Sequence, residues 1–206
     1  VKYLPTLLIG VTGVAQSGKT TLGKLIVERN GFQHHNFADT MRDFLCAVNP
    51  IIEEQVIQID HETEKVEVSV IRVKDIVGEI GWEGAKVEYP EVRQLMQRLG
   101  TEAGRNLFGE NFWVDQLFLR HSPNNLVITD VRFPNEAQAI KNRGGIIVRI
   151  KRDGYEPVNG HISETAYTDQ DFILYNNGTP DELYKHFTTK LYKFLTLRAF
   201  RNKVEP

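Results

Sequence analysis

Residues 13–20 read Gly13-Val14-Ala15-Gln16-Ser17-Gly18-Lys19-Thr20, a full G-x-x-x-x-G-K-[ST] run, and the fold is decided there. Gly13 and Gly18 can take backbone angles closed to other residues, so successive N–H groups can curl around a phosphate. Lys19 is placed to reach a β- or γ-phosphate, and Thr20 to offer its hydroxyl to Mg²⁺. Thr21 follows in a helix whose positive end faces the anion. The flanks agree with this reading. Leu7-Leu8-Ile9-Gly10-Val11 is an apolar run suited to a buried parallel strand, and Leu22, Leu25, Ile26 and Val27 give the next helix its apolar face. Gly13, Ala15, Gln16, Ser17, Gly18, Lys19, Thr20 and Thr21 are therefore the expected phosphate contacts of a nucleoside triphosphate.

Outward from this loop, segments of strand and helix character alternate, the pattern of a parallel sheet flanked by helices. Strands are predicted over 6–11, 33–37, 126–129, 146–150 and 172–175, and helices over 19–29, 38–47, 91–107, 110–121, 134–143 and 180–198. In the 91–107 helix, Val92, Leu95, Met96, Leu99, Ala103 and Leu107 recur at helical spacing and read as one core-facing stripe. Thr179-Pro180-Asp181-Glu182 is a helix start, with Thr179 as N-cap and acidic residues at the positive end. Residues 51–88 break the rhythm. Glu64–Val70 alternates as a half-exposed strand would, and Gly78, Gly81 and Gly84 surround Trp82. The stretch is either an insertion on the substrate side or a peripheral hairpin.

The 206 residues suffice for one α/β domain with a sizeable core, 1–206. With 25 basic and 27 acidic residues the net charge is −2, which argues against a general binder of nucleic acid polymers. The sole cysteine, Cys46, excludes an intrachain disulfide and points to a reducing compartment. It lies in Phe44-Leu45-Cys46-Ala47-Val48 and reads as a small buried hydrophobe. No apolar run approaches ~20 residues, so no membrane partner is expected. Cleaving the N-terminal apolar stretch as a secretion signal would destroy the loop, and a cytoplasmic protein is expected.

Leu126-Val127-Ile128-Thr129-Asp130 is a buried strand ending in a carboxylate, which beside Lys19 and Thr20 would hold a water of the Mg²⁺ shell. Capping of the next turn is the other account of Asp130. Arg132 follows near the transferring phosphate, and Phe37-Ala38-Asp39-Thr40-Met41-Arg42 starts a helix that aims Arg42 at the same opening. Arg93, Arg98 and Arg105 lie on the 91–107 helix. Arginine grips phosphate in a planar, bidentate way and keeps its charge near neutral pH. Asp39 and Glu136 read as acceptor-side or arginine-orienting groups. Phe37, Phe108, Phe112 and Trp113 are candidates to stack on a base. Asn176-Asn177-Gly178-Thr179 either borders an adenine or caps a helix.

The segments GVAQSGKTT, FADTMRDFL, RLGTEAGRNLFGENFWV and ITDVRFPNEA together resemble the deoxynucleoside monophosphate kinases of bacteriophage type, a branch of the phosphate-loop nucleoside monophosphate kinases. The similarity runs from the first strand to the last helix and is poorest over 51–88. It implies a three-layer α/β/α fold with a five-stranded parallel core sheet, an acceptor-binding region and a mobile lid over 151–168. It also implies phosphoryl transfer from ATP, with Mg²⁺, to a deoxynucleoside monophosphate. Lys19, Arg42, Arg132 and Arg152 then neutralise charge in the transfer. Asp39, Arg42, Arg105, Arg132, Glu136 and Trp113 bind the acceptor, and Thr20 and Asp130 hold the metal. Arg149, Lys151 and Arg152 cluster where the lid begins and would make it basic, and His161 within it either meets phosphate or locks the lid, or is structural. Another small-molecule kinase of this fold, acting on dephospho-coenzyme A or phosphomevalonate, stays open at this point, as does a non-catalytic nucleotide-binding regulator. Monomer and homodimer are equally open.

Overall fold

The computed structural model describes residues 7–60, 65–155 and 169–204. In chain order its elements are β1 (Leu8–Thr12), α1 (Lys19–Asn30), β2 (Gln33–His35), α2 (Phe37–Val48), β3 (Ile51–Asp60), β4 (Lys65–Arg72), α3 (Val73–Glu88) and α4 (Pro90–Arg98). A π-helical stretch, Leu99–Arg105, runs on into α5 (Asn106–Phe108). Then come α6 (Phe112–Arg120), β5 (Leu126–Ile128), α7 (Pro134–Asn142), β6 (Ile146–Lys151), β7 (Phe172–Tyr175) and α8 (Pro180–Val204). The chain divides into two units, Val1–Phe37 with Val114–Pro206, and Ala38–Trp113.

In the first unit β1 is buried along its whole length, as a strand covered on both faces must be. It pairs in parallel with β5 on one side and β6 on the other, giving a five-stranded sheet of order β2-β5-β1-β6-β7. The period of two in strand side chains sorts the core into two layers. Ile9, Val11, Val127, Ile146, Val148, Ile150 and Leu174 pack with Leu22 and Ile26 of α1 and with Leu183, Phe187 and Leu191 of α8. Leu8, Leu126, Ile128 and Ile147 pack the other way, on Ala137 and Ile140 of α7 and Val114 and Leu117 of α6. This is the expected three-layer α/β/α arrangement around a parallel sheet.

The second unit builds its own cores. Leu45, Val73 and Met96 form one, and Ile76, Ala85 and Val92 another, with Ile52, Val77 and Trp82 touching both. The alternating stretch read as a strand is β4, paired antiparallel with β3. The following α3 falls where the sequence shows only a break in the strand–helix rhythm, with three glycines around Trp82. Gly81, at φ 69° and ψ 172°, kinks it into two short helices. The apolar stripe expected over 91–107 fails at its far end. Val92 and Met96 are buried, but Leu107 is 74% exposed. One residue of slip in the π-helical stretch turns later side chains by about 100° around the axis. No described helix is long and apolar enough to cross a membrane.

Candidate active site

The loop between β1 and α1 has the backbone its glycines foretold. Gly13 and Gly18 sit at φ 147° and 105°, and Gln16 also takes a left-handed φ, 61°. Neither glycine has room for a side chain. A Cβ at Gly13 would overlap the carbonyl of Ile150, and one at Gly18 the amide of Asn176. That amide donates to Ser17 O at 2.8 Å, so the strand end of β7 pins the loop from behind. Lys19 Nζ donates to the carbonyls of Gly13 and Val14 at 2.8 and 2.6 Å and lies folded across the loop. A cavity of about 320 Å³ opens here, lined by Gln16, Gly18, Lys19, Thr20, Thr21, Arg152, Asn176, Gly178 and Pro180. Arg152 Nη1 donates to Gln16 O at 3.4 Å, and its guanidinium lies over the Tyr155 ring.

Of the two readings of segment 176–179, the structure bears on the helix cap. Asn176 faces the cavity, while Thr179 caps α8 by accepting Glu182 N–H at 3.3 Å. Glu182 returns the favour by accepting Thr179 N–H at 2.7 Å, a reciprocal capping box. The hydrogen bond from the Thr179 backbone, then that from its hydroxyl, holds the Glu182 carboxyl below its ordinary range.

At the end of β5, Asp130 Oδ1 accepts Phe37 N–H at 2.9 Å and so caps α2, an element far away in sequence. Buried Thr129 donates to Asn36 Oδ1 at 3.0 Å, which leaves its oxygen to accept from His34 Nε2 at 2.7 Å. Nothing in the residue spacing signals this bridge. Glu136, 4% exposed, accepts Arg132 N–H at 2.7 Å and Phe133 N–H at 3.0 Å. It thereby shapes the turn that carries Arg132 and starts α7. The Arg132 side chain is exposed and has no partner among the described residues.

In the second unit Arg42 is clasped rather than free. Its guanidinium stands 3.3 Å from Asp39 and 3.5 Å from Glu83, with Trp82 beneath it at 5.9 Å. The sequence marks Trp82 only as an aromatic residue among glycines and does not mark Glu83, because nothing in the spacing brings either to Arg42. Buried Nε of Arg42 has no hydrogen-bond partner. Both pairs are longer than a usual charge-assisted hydrogen bond. Half-buried Arg105 ends the π-helical stretch.

Two aromatic expectations are corrected. Phe37 is 4% exposed and belongs to the sheet's core. Trp113 is 6% exposed, and its indole N–H is taken by Gly100 O at 3.0 Å, so it has no open face for a base. Phe108 is the exposed ring, stacked on Phe112 at 4.9 Å. His161 and the expected lid beyond Tyr155 lie outside the described residues up to residue 168.

Residues 51–187 match the family model described as deoxynucleotide monophosphate kinase. This chain belongs to that family. A relative named for the same activity in Acanthamoeba polyphaga mimivirus is 29% identical over 194 residues, covering 86% of this chain and 92% of that protein. The deoxynucleotide monophosphate kinase of Escherichia phage RB69 is 31% identical over 101 residues, 45% of this chain and 41% of that one. Among solved structures, shikimate kinase from Aquifex aeolicus VF5 aligns with a TM-score of 0.47 at 14% identity, over 90% of this chain and 96% of that chain. The matched kinase region begins at Ile51, after the phosphate loop. The activity therefore rests on the family and the relatives, and the phosphate loop lies outside the residues that the family model matches.

Proposed function

We propose that the chain moves the γ-phosphoryl group of ATP onto the 5′-phosphate of a deoxynucleoside monophosphate. One oxygen of the acceptor phosphate bonds to the γ-phosphorus while the bond to the β-bridging oxygen breaks, giving a deoxynucleoside diphosphate and ADP. The observation that carries this reading is the built donor pocket, in which Lys19, Thr20 and Arg152 line one cavity behind a glycine loop, in a chain of this family.

No catalytic base is nominated, because a phosphate monoester whose second pKa is about 6 is largely a dianion near neutral pH. Alignment and charge neutralisation remain for the protein to supply. Lys19 would exchange the carbonyls of Gly13 and Val14 for phosphate oxygens. Arg152 would meet the triphosphate from the far side of the cavity. On the acceptor, Arg42, Arg105 and Arg132 would hold phosphate, Asp39 would keep Arg42 in place, and Glu136 would set the Arg132 turn. Thr20 and Asp130 would hold Mg²⁺, an all-oxygen pair that suits a hard ion retaining several waters. When bound, the ion neutralises charge on the β- and γ-oxygens.

A coupled ADP-release assay with Mg-ATP across the ribo- and deoxyribonucleoside monophosphates tests the proposal. ADP formation that depends on a deoxynucleoside monophosphate is expected, and Lys19→Ala should abolish it. Release of ADP at the same rate with and without every monophosphate would overturn it.

A further inference from the structure

Leu99–Arg105 is the one π-helical segment among the described residues, and it interrupts a rod that is otherwise α-helical from Pro90 to Phe108. Its bonding is offset by one residue, with Asn106 N–H reaching Thr101 O five positions back. A π turn is less favourable than an α turn and persists where its surroundings hold it. The same unit supplies the hold. Trp113 Nε1–H donates to Gly100 O at 3.0 Å, and the indole lies directly on Gly104. A Cβ there would overlap Nε1 and stand 2.6 and 2.8 Å from Cε2 and Cζ2. The ring cannot retreat easily, since it is buried and edge-packed on Phe112 at 4.8 Å. Gly100 is closed on its own side, where a Cβ would stand 3.1 Å from Met41 Sδ.

We infer that Trp113 is a positioning residue for the acceptor: its N–H and ring lock the Leu99–Arg105 turn in π register and so fix the direction in which Arg105 leaves the helix. Relaxation to α register would turn Arg105 by about 100° around the axis. Gly104 is required because the indole occupies the volume of any side chain at that position. The inference rests on the reading of Arg105 as a ligand of the acceptor phosphate.

The test replaces Trp113 with β-(3-benzothienyl)alanine, which keeps the ring's shape and puts sulfur where the N–H was, so that packing and folding are retained. Trp113→Phe serves as the genetically encoded partner. Each is made alone and with Arg105→Ala, and steady-state constants are measured for ATP and for each of the four deoxynucleoside monophosphates. Losing one hydrogen bond's worth of positioning should raise the acceptor KM about fivefold and leave the ATP KM within about twofold. In the Arg105→Ala background the same replacement should change the acceptor KM by less than about twofold, because nothing is left to position. An unchanged acceptor KM in the benzothienylalanine protein, or an equal rise in both backgrounds, overturns the inference while leaving Arg105 as a ligand. An acceptor KM unmoved by Arg105→Ala alone removes the phosphate-ligand reading of Arg105, and the inference with it.

Discussion

Asn176 and Ser17 are bonded neighbours whose removal should have opposite outcomes. The Asn176 amide fills the space that a side chain at position 18 would need, and it satisfies the buried carbonyl of Ser17. Asn176→Ala strands that carbonyl, so it should cost about 1–3 kcal/mol by urea denaturation and raise the KM for ATP. The Ser17 hydroxyl is itself buried with no hydrogen-bond partner in the structure. Ser17→Ala should therefore leave the stability of the nucleotide-free protein unchanged or slightly higher. A loss comparable to that of Asn176→Ala would show that the hydroxyl is bonded in solution. Only half of this pairing is legible in the sequence. The motif locates Ser17 in the loop, but nothing in the spacing says that a residue 159 positions later donates to it.

Elements differ in how openly their causes are written. Strands β1, β5, β6 and β7 are legible because each is a short apolar run, whereas β2 is the polar Gln33-His34-His35; α8 is legible because Thr179 and Pro180 announce its start. The α8 capping box also carries a pH dependence. The Glu182 carboxyl is held low in the folded chain, so its contribution is full above the unfolded value of about 4.3 and is lost as pH falls through the lower folded value. Glu182→Gln should therefore be less stable than the parent at pH 7, and the gap should close on acidification below about pH 4. A gap that persists at pH 2.5 would mean that the carboxylate's charge plays no part. Helix α3 is hard to read in the sequence because glycines interrupt its apolar pattern, and two of them do different jobs. Gly81 sits at φ 69° and ψ 172°, a conformation open essentially to glycine alone, whereas Gly78 lies in helix with open space around it. Gly81→Ala should cost about 1–3 kcal/mol by thermal melting, although nothing obstructs its methyl. Gly78→Ala should gain about 0.5–1 kcal/mol. The π-helical stretch was illegible for another reason. Its register is held by Trp113, which bonds Gly100 from outside the turn, a contact that no repeat of apolar residues records.

At the scale of the whole chain, the motifs sort themselves between two units that each own a hydrophobic core. Every residue lining the phosphate-loop cavity belongs to the sheet unit. Arg42 and the three side chains around it, Asp39, Glu83 and Trp82, belong to the other. If the donor phosphates are held by the first set, and the acceptor phosphate by Arg42 with Arg105 and Arg132, damage to Lys19 or to Arg42 should spare binding of the other ligand. Lys19→Ala should abolish transfer yet leave the calorimetric affinity for a deoxynucleoside monophosphate within about twofold of the parent. Arg42→Ala should weaken that affinity about 10- to 100-fold, the range for hydrogen bonds to a charged group, while a non-hydrolysable ATP analogue binds as before. Stabilisation by each ligand follows the same division. The ATP analogue should raise the melting temperature of Arg42→Ala as it does that of the parent, and the monophosphate should not, because a ligand stabilises only in proportion to its occupancy of the folded state. Equal loss of both affinities in either variant would show that the two sets act as one site, and the separation of donor from acceptor residues would fail.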